Sequence, residues 1–375
     1  MKTFEYSMRP NRGQAQQLMA VLMASRKLYN TGLEELIATY EATGKPLHRY
    51  EQDTKHGKAE HPDLPAVVVD TTLKRLHRAC AHCFRGGREG RRVGFPRFKG
   101  GNRWDTMQLR DAQHTLKGHS FHAPRPCGGK IRVNVHRPLQ GPFKYARFVV
   151  RPSGWYLQCV CETVPSPLPV KDNAVGLDMG ITSLVADSTG RQIKNPKNLQ
   201  RNAETLGKAQ RRLARCTQGS VRRRKAQRVV ARHHERIVHQ RQDTLHKISW
   251  AYVNGYQVMA LEDLRPAHMV RHHALARAIS DASWGQLRQM LAYKAADAGR
   301  QLVAVPPHYT SQDCRVCHTR VQKSLAVRTP VCPHCGYVAD RDVNAATNIL
   351  YAAQAALART GPSPTGGEGS RGNTR

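Results

Sequence analysis

Between residues 314 and 335 the chain reads CRVC, fourteen further residues, and then CPHC. Each C-x2-C pair presents two thiolates from a tight turn, and four thiolates satisfy a tetrahedral zinc ion. Cys314, Cys317, Cys332 and Cys335 are therefore the expected ligands of a structural Zn2+. Four thiolates leave no position open for substrate or water, so any chemistry must sit beside this metal. Cys80 and Cys83 share the spacing but lie on a helical pattern with no second pair. With Cys127, Cys159, Cys161 and Cys216 they read as reduced, packed thiols outside any disulfide framework. Directly after the second knuckle, Asp340 and Asp342 open the segment ADRDVNAATNIL, whose composition predicts a helix. One of the two aspartates is expected to cap it, since a carboxylate near a helix N-terminus accepts free backbone amides.

The length of 375 residues implies two or three domains. Sixty Lys and Arg against 27 Asp and Glu leave a net charge of +33, which repels itself unless a polyanion is near. Nucleic acid is the expected partner, with a membrane surface as the other polyanion. No apolar run approaches the roughly eighteen residues of a membrane span, and MKTFEYSMRP alternates like a strand rather than a signal peptide. A soluble, cytoplasmic protein of the nucleoid is expected, with no membrane partner. Residues 201–247 hold 14 basic against three acidic residues on two helix-like halves broken near Gly219-Ser220. Such density exceeds what solubility needs and suits a phosphate backbone, with Arg222, Arg223, Arg224 and Lys225 as expected contacts. The pairs His233-His234 and His272-His273 point different ways on a helix, which argues against a metal site.

In chain order, Phe4, Tyr6 and Met8 alternate as a half-buried strand. A helix follows, with an apolar face running from Leu18 to Tyr40, stopped by Thr43-Gly44-Lys45-Pro46. A second helical stretch runs from about Val67 to Phe84, with basic residues outward. In FPRFKG, aromatic rings alternate with Arg97 and Lys99, a combination of stacking surface and phosphate-seeking charge. Residues 131–139, 145–151 and 155–164 alternate as antiparallel strands of a small barrel that also takes the N-terminal strand. Pro165 to Pro169 reads as a linker. AVGLDMGITSLVADSTGRQI then predicts a hairpin with Asp178 at the sheet edge, and YQVMALEDL a further apolar strand carrying Glu262. The Gly-, Ser- and Pro-rich C-terminus is expected to be disordered.

Asp178, Glu262 and Asp342 each stand at or just after the end of an element of one α/β sheet. Three converging carboxylates repel unless divalent cations lie between them, and hard Mg2+ or Mn2+ suits carboxylate oxygens. Two such ions about 4 Å apart would activate water and stabilise the leaving oxygen of a phosphodiester. Asp178 takes the bridging position in this reading, with Glu262 and Asp342 completing the two shells. Asp187, Asp263 and Asp340 have weaker claims.

GLDMGI, ALEDL, YTSQDC, the two C-x2-C pairs and DRDVNAATNIL, in that order, resemble the TnpB (OrfB) family of insertion-sequence proteins with a RuvC-type nuclease. FPRFKG, HRPLQG and the basic helical insertion match as well, so the resemblance spans most of residues 1–355. It implies an α/β multidomain fold: an RNase H-like (RuvC) nuclease domain at 170–310 and 340–358 with a basic insertion at 197–249 and a zinc ribbon at 311–339. A wedge-type β-barrel at 1–12 and 94–165 would precede it, carrying a helical recognition subdomain at 13–93, with a disordered tail at 359–375. The implied function is a transposon-encoded, RNA-guided DNA endonuclease related to type V CRISPR effectors. It would act as a monomer with a guide RNA from the transposon end, on double-stranded target DNA beside a short motif. Asp178, Glu262 and Asp342 match the family's catalytic triad and the four cysteines its zinc ligands, while His318 stands where the family pattern has Gly. A strand-joining transposase and a non-cleaving nucleic-acid-binding regulator are the competing readings.

Overall fold

The computed structural model describes residues 1–57, 60–110, 116–271, 273–322 and 327–360. The chain divides into two units, Met1–Val164 and Pro165–Arg375.

In the first unit, strand β1 (Lys2–Arg9) buries Phe4, Tyr6 and Met8 as its alternation requires. Helix α1 (Arg12–Thr43) starts at a capping box. Asn11 Oδ1 accepts from the Gln14 amide at 2.8 Å, and Gln14 Oε1 accepts from the Asn11 amide at 3.0 Å. It ends at Gly44, whose φ of 68° is the left-handed cap that glycine adopts without steric cost. Helix α2 (Arg49–Lys55) lies in a polar stretch with no apolar periodicity. Tertiary contact holds it: buried Gln52 donates to Gly32 O at 2.8 Å, where a β-carbon on Gly32 would stand 3.2 Å from the same amide. Helix α3 (Ala66–Arg88) packs on α1 and on the sheet.

That sheet comprises β1 with β2 (Thr106–Arg110), β3 (Leu116–Lys117), β4 (Ser120–His122), β5 (Lys130–Asn134), β6 (Phe143–Arg151) and β7 (Gly154–Cys161). Its order is β2-β6-β7-β1-β5-β4-β3, antiparallel throughout. The three strands expected between 131 and 164 are present as β5, β6 and β7. β3 and β4 are too short to be read locally, whereas β2 (TMQLR) alternates over as many residues as β5, burying Met107 and Leu109, and escaped the sequence reading. β2 and β3 are the end strands, with no ladder between them among the described residues; the segment joining them, 111–115, lies outside those residues. Among the bonds that tie the helices to the sheet side of the core are Trp104 Nε1 to Ser25 Oγ and Thr71 Oγ1 to Gln108 O, both at 2.9 Å.

The second unit contains β8 (Ala174–Asp178), β9 (Ser183–Asp187), β10 (Gln192–Lys194), α4 (Asn198–Arg201), α5 (Ala203–Ala214), α6 (Val221–Gly255) and β11 (Val258–Glu262). Helices α7 (Pro266–Met269), α8 (His273–Ala282) and α9 (Trp284–Ala298), strand β12 (Gln301–Val305) and helix α10 (Arg341–Thr360) complete it. Its five-stranded sheet has the order β10-β9-β8-β11-β12, parallel across β8, β11 and β12 and antiparallel across β8, β9 and β10. Both faces are covered, and strand alternation separates them. Val175, Leu177, Met259 and Leu261 join the core formed with α6 and α9, whereas Ala260 packs with Ile349 and Ala353 of α10. Gly176 faces α10 so closely that a β-carbon there would lie 1.9 Å from Ala346 O.

The basic stretch forms α5 and α6, broken where the sequence predicts, with Ser220 Oγ capping α6 by accepting from the Arg223 amide at 3.1 Å. The closing helix runs to Thr360, so the first two residues of the expected tail at 359–375 are helical and the remainder lie outside the described residues. His272 of the second histidine pair is also outside them. No helix among the described residues is long and apolar enough to cross a membrane.

Candidate active site and metal centre

The two knuckles fold as repeats of one turn. In the first, the Cys314 amide donates to Thr319 O at 3.0 Å and the His318 amide to Cys314 O at 2.9 Å. In the second, the Cys332 amide donates to Tyr337 O at 2.8 Å and the Gly336 amide to Cys332 O at 2.9 Å. Both turns need a left-handed residue after the second cysteine: Gly336 has φ 72° and His318 φ 56°. His318 thus occupies the glycine conformation, and its ring stacks on Tyr351 at 5.3 Å, which offsets part of the strain. The four Sγ atoms lie within 4.8 Å of one another, with Cys314–Cys335 and Cys317–Cys332 each at 3.6 Å, and all four thiols are free. The Thr319 hydroxyl and amide lower the Cys317 thiol to about 6, whereas Cys335, despite the Tyr337 amide, is raised by burial and by the neighbouring thiols. The set fits a closed thiolate site for zinc. Among the described residues, no other group gathers its ligand atoms this tightly.

The carboxylates stand at one end of the five-stranded sheet. Asp178 and Glu262 terminate the adjacent parallel strands β8 and β11, whose register pairs Leu177 with Leu261 one residue earlier. Asp342 lies in the first turn of α10. Asp340 is the cap: its Oδ1 accepts from the amides of Asp342 at 2.9 Å and Val343 at 3.1 Å. Capping is thereby satisfied, and the buried Asp342 carboxylate turns to the strand end, with Oδ2 4.0 Å from where a β-carbon of Gly180 would be. Burial, then the charges of Glu262 and Asp342, push the Asp178 carboxyl up to about 7. Burial also raises Glu262, opposed by the Thr310 hydroxyl, which donates to Oε1. A carboxyl held near neutrality by burial and by two neighbouring carboxylates is the electrostatic condition a hard divalent cation relieves, so the donor set fits Mg2+ or Mn2+.

Arg328, between the knuckles, meets this cluster: Nη1 donates to Asp342 Oδ2 at 3.1 Å and Nη2 to Thr182 Oγ1 at 2.7 Å. No sequence pattern distinguishes it from the other arginines of the ribbon. The weaker candidates have other employment. Asp187 is buried and accepts from Tyr252 Oη at 3.0 Å and from the Thr189 and Arg191 amides at 3.0 and 3.1 Å. Asp263 pairs with Arg288.

Of the expected phosphate contacts, Arg222, Arg224 and Lys225 are exposed on the first turn of α6, whereas Arg223 donates to the carbonyls of Cys216 and Leu213 at 3.0 and 3.3 Å, closing the end of α5. In FPRFKG, Arg97, Phe95 and Phe98 are exposed. Lys99 is half-buried, its backbone pinned by Asn30 (amide to Oδ1, 2.8 Å) and its ammonium 5.6 Å from the Tyr29 ring centroid. The first unit also has a basic cleft of about 390 Å³ lined by Lys74, Arg75, Arg78, Arg147, Gln108 and Gln158. Only the outward basic face of α3 hinted at it, because Arg147 and the two glutamines arrive from other strands.

An α/β unit whose sheet-end carboxylates flank a four-cysteine ribbon defines the class, and comparison with known proteins gives the family. The fold matches a chain of the solved Cas12f1–sgRNA–target DNA complex with a TM-score of 0.58 at 12% identity, over 90% of this chain and 82% of that one. Family profiles described as "Helix-turn-helix domain", "Probable transposase" and "Cas12f1-like, TNB domain" match residues 1–45, 157–273 and 284–349. A Streptomyces pristinaespiralis protein named "Putative RNA-guided DNA endonuclease" is 35% identical over 373 residues, covering 95% of this chain and 90% of its own. Its Escherichia coli (strain K12) counterpart InsQ, with the same descriptive name, is 30% identical over 382 residues, covering 96% and 94%. The chain belongs to the TnpB (OrfB) family.

Proposed function

We propose that the protein is a transposon-encoded, RNA-guided DNA endonuclease. The observation that carries this reading is the convergence of Asp178, Glu262 and Asp342 at one sheet end, where burial and then the charges of the other two push the Asp178 carboxyl up. Asp178, Glu262 and Asp342 would hold the divalent cations. When bound, these ions supply a nucleophilic water and charge stabilisation at the leaving oxygen. The side chains do the rest: burial keeps the carboxylates out of bulk solvent, and Arg328 offers a guanidinium to charge beside Asp342. Cys314, Cys317, Cys332 and Cys335 would hold the structural zinc.

The remaining assignments follow the same reading. Residues 170–310 and 340–358 are an RNase H-like (RuvC) nuclease domain, 311–339 its zinc ribbon, and 1–12 with 94–165 a wedge-type β-barrel around the helical recognition subdomain 13–93. Arg97, Arg222, Arg224, Lys225 and the cleft of Lys74, Arg75, Arg78 and Arg147 would neutralise phosphates, while guide RNA from the transposon end reads the target. The relatives' names and the +33 charge support nucleic-acid partners. In the test, Asp178→Ala abolishes cleavage of a matched target while guide RNA still binds; retained cutting would refute the triad. The profile described as "Probable transposase" favours one second reading, strand transfer. Joined DNA ends rather than free 5′ and 3′ ends would establish it.

A further inference from the structure

Two of the three carboxylates are tied to one short turn that leads into the first knuckle. At Tyr309 the backbone is left-handed, with φ 60°, an uncommon state for a large side chain. It closes a tight turn in which the Gln312 and Asp313 amides donate to Tyr309 O at 2.8 and 2.9 Å. The turn aims the Thr310 hydroxyl at Glu262 Oε1. Two asparagines of α10 grip it from the other side. Asn348 Nδ2 donates to Thr310 O and to Asp313 O, both at 2.8 Å, and Asn344 Nδ2 donates to Asp313 O at 2.8 Å. Asn344 is buried, and its Oδ1 accepts from the Arg315 amide at 3.1 Å. The same turn is bridged to the knuckle by the Asp313–Arg320 pairing and by the Val321 amide donating to Gln312 O at 3.0 Å.

These bonds hold the turn from both sides, so it cannot shift without breaking several of them. The Thr310 hydroxyl donates to Glu262, and Asp342 rides on the helix from which Asn348 bonds the Thr310 carbonyl and Asn344 the Asp313 carbonyl. We infer that Thr310 is a positioning residue for Glu262 and that Asn344 and Asn348 make the carboxylate geometry depend on the fold of the cysteine ribbon. This rests on the metal-binding reading of the carboxylates and adds a residue and a coupling to it. Partners of this kind hold a ligand in its binding rotamer, and losing one weakens metal affinity about 10–100-fold.

The test is Mn2+ binding to the full-length, zinc-loaded protein, by electron paramagnetic resonance titration without nucleic acid. Thr310→Val removes the hydroxyl at nearly constant volume and should weaken Mn2+ binding about tenfold, with zinc content unchanged; Thr310→Ser should restore it. Asn348→Leu, which touches neither carboxylate, should also weaken Mn2+ binding while zinc stays bound. If Thr310→Val loses zinc, Thr310→Ala is read in its place. Mn2+ binding by the hydroxyl-free variant equal to wild type overturns the positioning role. Glu262→Gln separates the two levels. If it abolishes tight Mn2+ binding and Thr310→Val does not, only the positioning inference falls. If Glu262→Gln itself binds like wild type, the carboxylate reading falls and takes the inference with it.

Discussion

Replacing Gly176 by alanine tests whether α10 and the carboxylate on it are set by contact with β8. A β-carbon at this position would lie 1.9 Å from Ala346 O and 2.9 Å from the Leu350 amide nitrogen, both backbone atoms of a helix. Ordinary C···O approach is about 3.3–3.6 Å, so α10 must retreat by roughly 1.5 Å. No side chain can swing aside to absorb this. Overpacking typically costs about 1–3 kcal/mol, and a backbone obstacle places Gly176→Ala at the upper end, about 3 kcal/mol. For a unit of roughly 200 residues that is a fall of about 6–12 °C in the melting temperature, measurable by calorimetry. The same retreat carries Asp342 away from Asp178, so Mn2+ affinity should fall with stability. Gly207→Ala is the control: it lies within α5, the nearest atom to its β-carbon is the flexible Arg211 guanidinium at 3.4 Å, and it should stabilise by about 0.5–1 kcal/mol. A Gly176→Ala protein that melts and binds Mn2+ like wild type would refute the close-packing argument.

Other substitutions probe single terms. Asp178 is raised to about 7 by burial and by Glu262 and Asp342, so without metal its proton stabilises the fold at low pH, and that contribution is lost as pH rises from about 4 through 7. Unfolding of metal-free protein should show this loss and Asp178→Asn should abolish it, while wild-type Mn2+ affinity should climb as pH passes 7. Cys332→Ser should remove the bound zinc and unfold the ribbon, measured as metal content and a lower melting temperature; unchanged values would sink the structural-zinc assignment. Lys294 is buried, donates to Ser249 Oγ at 2.7 Å and His246 O at 3.0 Å, and burial lowers its ammonium to about 8. Its folded-state value lies below the unfolded one, so stability should rise between about pH 8 and 10.5; Lys294→Met should flatten that rise and gain about 1–3 kcal/mol at pH 7.

Local patterns were legible wherever one residue's neighbours in sequence are also its neighbours in space. The alternation of Phe4, Tyr6 and Met8, the apolar face of α1 with its stop at Gly44, and the break before α6 all belong to this kind. The residues that escaped prediction are those whose role depends on distant partners. Helix α2 has no apolar period and exists because Gln52 reaches Gly32 and Glu35. Arg223 resembles its basic neighbours but closes the end of α5, and Tyr40, on the apolar stripe of α1, is half exposed because the face it continues runs past the core.

The sequence by itself determined the ligand chemistry of the cysteine centre, because two C-x2-C turns are local and thiolates can serve few other purposes at that spacing. It also determined the strong positive charge that a polyanion would neutralise, since charge is additive and independent of fold. The order of motifs singled out Asp178, Glu262 and Asp342, but only the tertiary structure brings them to one place. Which of Asp340 and Asp342 caps α10 was open in the sequence; in the structure Asp340 is the cap and Asp342 faces the strand ends. Asp178, Glu262, Asp342, Thr310 and Arg328 come from separate segments of the chain. Their electrostatic coupling falls off with distance in space, not with separation along the sequence, so it exists only once β8, β11 and α10 have packed.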